Sequence, residues 1–172
     1  MKSIFPKIII FMVAAGALFF VARYLIGLKA IPSLSEYIAN NPLNDSSQTS
    51  ATSSAPSKIS IIAPAGTIEA VVVTAEADLE KGLGGQADMK RDQGMLFVFP
   101  TADIYTFWMK DMLFSIDIVW ISPDLTISGI TENISPQTYP ATFVSPGPVL
   151  YVLELNAGAA KEFGLVAGEK IM

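Results

Sequence analysis

The feature that most constrains this chain is a long apolar segment near its N-terminus. Residues 8–28 contain only apolar residues, glycine and Tyr24, apart from the single charge of Arg23. These 21 residues would extend about 31 Å as an α-helix, which matches the thickness of the hydrocarbon core of a bilayer. Arg23 lies close enough to the end of the segment for its side chain to reach the headgroups. The sequence therefore predicts a transmembrane anchor within residues 1–30.

Two other interpretations of this segment are open. It fits a cleaved secretory signal that begins with Lys2 and Lys7, although Arg23 and Leu25 stand where small residues would mark a cleavage site. It also fits a buried helix of a soluble protein, but its hydrophobicity on every side argues against this. Basic residues flank both ends of the segment, with Lys29 at the second. We favour a single-pass anchor in the cytoplasmic membrane, with the rest of the chain in the periplasm or outside the cell; cleavage would make the protein secreted.

Residues 31–57 are predicted to connect the anchor to a folded domain. Ser33 followed by Glu36 forms a capping box for a short helix next to the membrane. Residues 44–57, NDSSQTSATSSAPS, are rich in serine, threonine and alanine and show no apolar periodicity. This composition is typical of a flexible linker, and a long surface loop is the alternative.

Residues 58–172 show short β-branched or aromatic segments separated by proline, aspartate and glycine. Two brief helices are also expected, at residues 75–81 after a Thr74 N-cap and at 157–163 after an Asn156 cap. Many short strands with two short helices indicate an α+β domain, mainly β, built on a compact curved or barrel-like antiparallel sheet. The predicted strands are residues 68–73, 95–99, 105–109, 116–121, 126–131 and 149–155, with a turn at 122–124 that suggests a hairpin.

Charge and composition exclude several functions. Residues 58–172 carry seven Lys and Arg against fourteen Asp and Glu, and an acidic domain without a basic stripe repels phosphate backbones, so nucleic-acid binding is not expected. The chain has no cysteine and no histidine, which removes thiol nucleophiles, disulfides, histidine bases and zinc sites of the usual kind. No metal site and no cofactor are predicted.

Several short motifs follow one another through this region. They are KGL at residues 81–83, GMLFVFP at 94–100, FWMK at 107–110, IDI at 116–118, YVLELNAG at 151–158, GL at 164–165 and GE at 168–169. In this order they resemble the domain of unknown function 192 family, over nearly all of residues 68–172. The resemblance implies a compact, mainly β domain that is often exported behind a signal or anchor in bacteria, and it implies no established activity.

The chain departs from the usual family pattern at two places. Gly84 and Gly85-Gln86 stand where the family commonly has methionine and arginine. Asp111-Met112 stands where asparagine and threonine are usual. An anion-binding arginine and a polar contact at these positions are therefore not carried over to this chain.

Two acids inside apolar strands are the candidate site residues. Asp117 lies in SIDIVW and Glu154 lies between two leucines, and a carboxylate in such surroundings needs a partner to offset its desolvation. Strand alternation would allow both acids to face one interior, where their pKa values would be raised. With Lys110 as countercharge and Trp108 as an aromatic wall, these residues would form a cleft for a small polar ligand such as a carbohydrate.

Two functions are consistent with this cleft. We favour a membrane-tethered, non-catalytic binding or accessory domain that contacts the membrane through residues 8–28, with protein partners undefined. The alternative is a hydrolase of an envelope glycan that uses Asp117 and Glu154 as a carboxylate pair. A purely structural interpretation is also open, in which both acids accept hydrogen bonds that hold loops while Trp108 fills the core.

Two further patterns have ordinary structural explanations. The glycines of residues 82–85 follow a predicted helix rather than precede one, so we interpret them as a C-cap and turn, not a phosphate loop. Met95 and Met109 lie among aromatic residues in strands, where core packing explains them better than copper binding, and Met89 and Met112 are further members of this methionine group.

Overall fold

The fold was analysed in a computed structural model, which describes residues 34–40 and 57–172. The predicted membrane segment 8–28 and the linker 44–57 lie outside the described residues, apart from Ser57. Within the described part of the chain, no helix is long and apolar enough to cross a membrane. The elements, in chain order, are α1 (Leu34–Asn40), β1 (Lys58–Ala63), β2 (Gly66–Val73), α2 (Glu76–Lys81), β3 (Gln93–Asp103), β4 (Thr106–Trp108), β5 (Ile116–Ile121), β6 (Ile127–Ile134), a 3₁₀ turn (Pro136–Thr138), β7 (Thr142–Val144), β8 (Val149–Asn156) and α3 (Ala159–Glu162).

Six of the strands form one mixed sheet in the order β1, β2, β3, β8, β5, β6. Neighbouring strands are antiparallel except for β2 and β3, which run parallel. The remaining strands, β4 and β7, pair with each other in a small antiparallel ribbon. The strand β8 therefore lies near the centre of the sheet, between β3 and β5.

The predicted antiparallel, barrel-like sheet is wrong in two respects. The strand β3 is parallel to β2 because α2 and the loop after it carry the chain back to the end of the sheet where β2 began, and only such a crossover can join parallel neighbours. The sheet also stays open, with β1 and β6 as its edges. The mainly β character is confirmed, and β5 and β6 form the predicted hairpin.

Each face of the sheet covers its own apolar cluster. One face packs against α1 and α3, so that Leu34, Ala160 and Phe163 contact apolar side chains such as Leu153 and Val119. The opposite face carries aromatic residues and methionines from β3, β5 and the segments around β4, among them Phe97, Trp120 and Met109. Because alternate residues of β8 point to opposite faces, neighbours in its sequence belong to different clusters.

The three short helices confirm the predicted positions but not every predicted cap. The proposed Ser33 cap of α1 lies outside the described residues. The predicted Thr74 cap of α2 is wrong, because α2 begins after Ala75, whose side chain makes no capping bond. Helix α3 begins after Gly158 at a φ of 78° rather than after Asn156. Asn156 instead ends β8 and donates its side-chain N–H groups to the carbonyls of Met89 and Lys90. Its side chain thus fixes the loop before β3 and does not cap the helix.

Candidate functional site

The most unusual side chain of the domain is Glu154, in the middle of the central strand β8. Its cross-strand neighbours are Met95 on β3 and Ile118 on β5, so an acid stands between apolar residues on both sides. Only 4% of Glu154 is exposed. The sequence prediction that this acid is buried in an apolar strand is confirmed.

The carboxyl group of Glu154 lacks the compensation that a buried charge requires. Within the described ranges 34–40 and 57–172, its Oε2 atom has no hydrogen-bond partner. Burial raises the pKa of Glu154 from 4.5 to about 8, since no neighbouring charge offsets the lost hydration. Near neutral pH the group is therefore a neutral carboxylic acid, able to donate one hydrogen bond and accept others.

A cavity of about 660 Å³ opens beside this carboxyl group. Aromatic rings form much of its wall, and they hold one another in place. Phe97 and Phe107 meet edge to face at 5.1 Å between centroids, and Phe99 stacks on Tyr105 at 3.7 Å. Phe107 also meets the buried Trp120 edge to face at 5.5 Å. A cavity of this size, mostly apolar and with one buried polar group, is typical of a small-molecule site.

The glycine-rich turn after α2 forms another wall of the cavity. Gly82 has a φ of 51°, and a Cβ at this position would lie 3.3 Å from the Phe97 ring and 3.9 Å from Oε2 of Glu154. The N–H of Gly85 donates to the carbonyl of Asp111, which joins this turn to the segment after β4. The predicted C-cap at Gly82 is confirmed. A side chain at position 82 would therefore crowd the Phe97 ring, so glycine is required where the turn passes Phe97 and Glu154.

Trp108 and Lys110 lie at the exposed side of the cavity. Trp108 is 47% exposed, and the Nζ atom of Lys110 lies 5.8 Å from the centroid of its ring. Both residues line the cavity together with Glu154. Three of the four residues chosen from the sequence therefore surround one space, although none of the ion pairs in the described residues joins Lys110 to Glu154.

Asp117 does not belong to this cavity. In the register of β5 against β8, Asp117 is opposite Leu155 while Ile118 is opposite Glu154, so the two acids project from opposite faces of the sheet. Asp117 is fully buried, and it accepts hydrogen bonds from the N–H of Asn133 at 2.8 Å and of Ala160 at 3.0 Å. The expectation that Asp117 and Glu154 share one interior is wrong, and with it the carboxylate pair that the hydrolase hypothesis requires.

The role of Asp117 is to connect elements of the fold. One carboxylate oxygen binds the backbone of β6, and the other binds the N-terminal turn of α3. A carboxylate that accepts backbone N–H bonds near a helix start is stabilised there. The structural interpretation of this residue, in which it holds neighbouring segments, agrees with these contacts.

No cluster that could hold a metal ion is present among residues 34–40 and 57–172. Met95, Met109 and Met112 are buried in the aromatic cluster, and Met89 packs against it. These positions agree with the interpretation of the methionines as core residues.

A comparison with known families decides what kind of domain this is. The family model of domain of unknown function 192 (DUF192), described as Uncharacterized ACR, matches residues 60–172. The chain belongs to the DUF192 family. No curated protein matches the chain. The resemblance seen in the motifs is thereby confirmed.

Two solved structures resemble this DUF192 domain. One is from Sinorhizobium meliloti 1021 and is provisionally named a transcription regulator; it is 32% identical over 72% of this chain and 97% of its own, with a TM-score of 0.63. The other is a protein of unknown function from Novosphingobium aromaticivorans DSM 12444, 26% identical over 73% of this chain and 97% of its own, with a TM-score of 0.62. The fold of the DUF192 domain is therefore shared with these proteins.

Sequence reasoning missed most of the cavity wall. Phe97, Phe99, Tyr105 and Phe107 read as ordinary strand residues, and Gly82 read only as a helix end. One signal was present in the sequence, because every second residue of a strand points to the same face and residues 95, 97 and 99 therefore share one. The pairing of β3 with β8 places these residues on the same face of the sheet as Glu154, and the sequence does not reveal that pairing.

Proposed function

We propose that this DUF192 domain is a non-catalytic binding module that takes a small organic molecule, such as a carbohydrate, into the aromatic cavity. The observation that carries the proposal is the unpartnered Oε2 atom of Glu154, buried next to an open space of about 660 Å³. Burying a polar group without a partner costs about 1–3 kcal/mol, and a ligand that satisfies it would recover part of that cost.

The aromatic walls support binding of a molecule with an apolar face. Trp108 offers a half-exposed ring at the mouth, while Phe97 and Phe107 lie deeper and are fixed by edge-to-face contacts. Rings held in this way need little ordering when a ligand arrives, so less binding energy is lost. Glu154 would then orient the polar end of the ligand.

A matched pair of variants tests this proposal. Thr106 and Thr142 are both exposed residues of the β4–β7 ribbon, but only Thr106 lines the cavity. We expect Thr106→Trp to obstruct the cavity and Thr142→Trp to leave it open. The full-length chain in lipid nanodiscs is screened by isothermal titration calorimetry against mono- and disaccharides and small aromatic molecules, with empty nanodiscs as the blank.

The proposal requires that at least one compound bind the wild type and Thr142→Trp, and that Thr106→Trp abolish this binding. Equal binding to all three proteins would place the ligand elsewhere and contradict the proposal. The absence of any binding by the wild type across the panel would also contradict it.

The proposed cellular location of the domain rests on the sequence. The apolar segment 8–28 would anchor the chain in the cytoplasmic membrane, and the Ser/Thr-rich residues 44–57 would hold the domain outside the cytoplasm. Protease added to spheroplasts should cut within residues 44–57 and release the domain. Complete protection of the chain would indicate the opposite orientation.

We do not propose that this domain regulates transcription, as the name of the Sinorhizobium meliloti protein would suggest. The folded part of this chain has seven basic and fourteen acidic residues. Such a surface repels DNA, whose binding depends largely on cationic contacts to phosphates.

A further inference from the structure

The charges that line the cavity leave one acid without a counterpart. Two exposed acids, Glu80 and Asp111, are matched by two exposed lysines, Lys81 and Lys110. Glu154 is the fifth acidic or basic residue of the lining, and it alone is buried. An ionised Glu154 would therefore give the cavity an excess of one negative charge.

Neither lysine neutralises this acid from within the described part of the chain. The two ion pairs found there are Arg91 with Glu162 and Lys170 with Asp124, and none of these residues lines the cavity. Lys110 instead lies over the ring of Trp108. A countercharge for Glu154 can thus come from a ligand that enters the cavity.

The walls of the cavity suit a cation more than a neutral group. The face of an aromatic ring carries a partial negative charge and attracts ammonium groups within about 6 Å of its centroid. Phe97, Phe107 and Trp108 line the cavity together with Glu154. Gly82 also lines the cavity beside Glu154 and adds no side chain that could compete with a ligand for the carboxyl group.

We propose, on the basis of the binding function above, that the ligand is an organic amine whose ammonium group pairs with Glu154 while its apolar body lies against the aromatic walls. The pairing is a proton-coupled event without a covalent step. Free Glu154 holds a proton near neutral pH because burial raises its pKa to about 8. When the ammonium ion binds, that proton passes to solvent, and the resulting carboxylate accepts hydrogen bonds from the N–H groups of the ligand.

The affinity for an amine should therefore depend on pH with a defined sign. Below the pKa of Glu154, affinity should rise about tenfold per pH unit, because one proton is released for each ligand bound. The other titratable groups that face the cavity are Glu80 and Lys81 on α2, Tyr105, and Lys110 and Asp111 after β4. They remain in every variant below, so a change in the pH profile reports Glu154.

Two probes of equal size test the inference. We would titrate the full-length chain in nanodiscs with 2-phenylethylamine and with 2-phenylethanol, at about pH 6 and about pH 8, and count released protons from the buffer dependence of the heat. The variants are Glu154→Gln, which keeps the shape but loses the ionisable group, and Glu132→Gln. Glu132 is an exposed acid on β6 outside the cavity lining and serves as the charge-matched control.

We expect the wild type and Glu132→Gln to bind the amine at least about tenfold more tightly at pH 8 than at pH 6, with release of about one proton at pH 6. Glu154→Gln should lose this dependence and keep its affinity for the alcohol. Equal affinity of the wild type for both probes at both pH values would overturn the inference and leave the binding function standing. Failure of both probes to bind the folded wild type would also overturn the inference, whereas the binding function is decided by the saccharide and aromatic panel described above.

Discussion

The difference in the free energy of unfolding between the wild type and Glu154→Gln should depend on pH in a way that reports the ionisation of Glu154. The pKa of this carboxyl is 4.5 in the unfolded chain and about 8 in the folded domain. A difference of roughly 3.5 units, at about 1.4 kcal/mol per unit, corresponds to about 5 kcal/mol. Because Glu154 is nearly fully buried, solvent screening does not reduce this value appreciably.

The sign follows from proton binding. Between about pH 4.5 and pH 8 the folded state holds the proton and the unfolded state does not, so stability falls as pH rises. The contribution is fully present below the pKa of the unfolded chain and is lost once pH passes the pKa of the folded state. Between about pH 5 and about pH 9 the loss should be about 4 kcal/mol.

The assay compares the wild type with Glu154→Gln by urea denaturation across this range. Glutamine keeps the size of the side chain and removes the ionisation, so other titrating groups cancel in the difference. We expect the stability of the wild type to fall by about 4 kcal/mol relative to the variant between these pH values. Parallel stability curves for the two proteins would refute the assignment of Glu154 as a neutral buried acid.

Three further substitutions distinguish residues that stabilise the fold from a residue that contributes to ligand binding. Asp117→Ala should destabilise the domain by about 2–4 kcal/mol in urea denaturation, because the N–H groups of Asn133 and Ala160 lose their acceptor. A loss below about 0.5 kcal/mol would mean that these bonds are dispensable. Gly94→Ala should cost about 1–3 kcal/mol, since its Cβ would lie 2.9 Å from Leu155, whereas an unchanged melting temperature would contradict this packing. Trp108→Ala should leave stability within about 1 kcal/mol yet weaken binding of 2-phenylethylamine in calorimetry, and unchanged affinity would remove Trp108 from the site.

The sequence was sufficient to predict local structure because local structure depends on neighbouring residues. Apolar neighbours within single strands identified both Asp117 and Glu154 as buried acids, and the turn at Ser122-Pro123-Asp124 identified the β5–β6 hairpin. Gly82 was recognised as a helix end from its position after Lys81. Each of these inferences uses residues close together in the chain.

The pairing and register of strands that are far apart in the chain could not be predicted from neighbouring residues. A shift of one residue between β5 and β8 exchanges the faces of the sheet, and this register separates Asp117 from Glu154. The parallel pairing of β2 with β3 depends on the path of the chain through α2, which alternation does not reveal. For the same reason the cavity wall, assembled from α2, β3, β4 and β8, was not visible in the sequence.

Glu154 keeps an unpartnered Oε2 atom beside an open cavity that a ligand can enter. The state of this acid is measured most directly by the pH titration of its carboxyl carbon by NMR, in the full-length chain with isotope-labelled glutamate and with Glu154→Gln to assign the signal. We expect a midpoint near pH 8, as burial dictates, and a fall of that midpoint when 2-phenylethylamine is added. A midpoint near the ordinary value of 4.5, unchanged by the amine, would contradict the account.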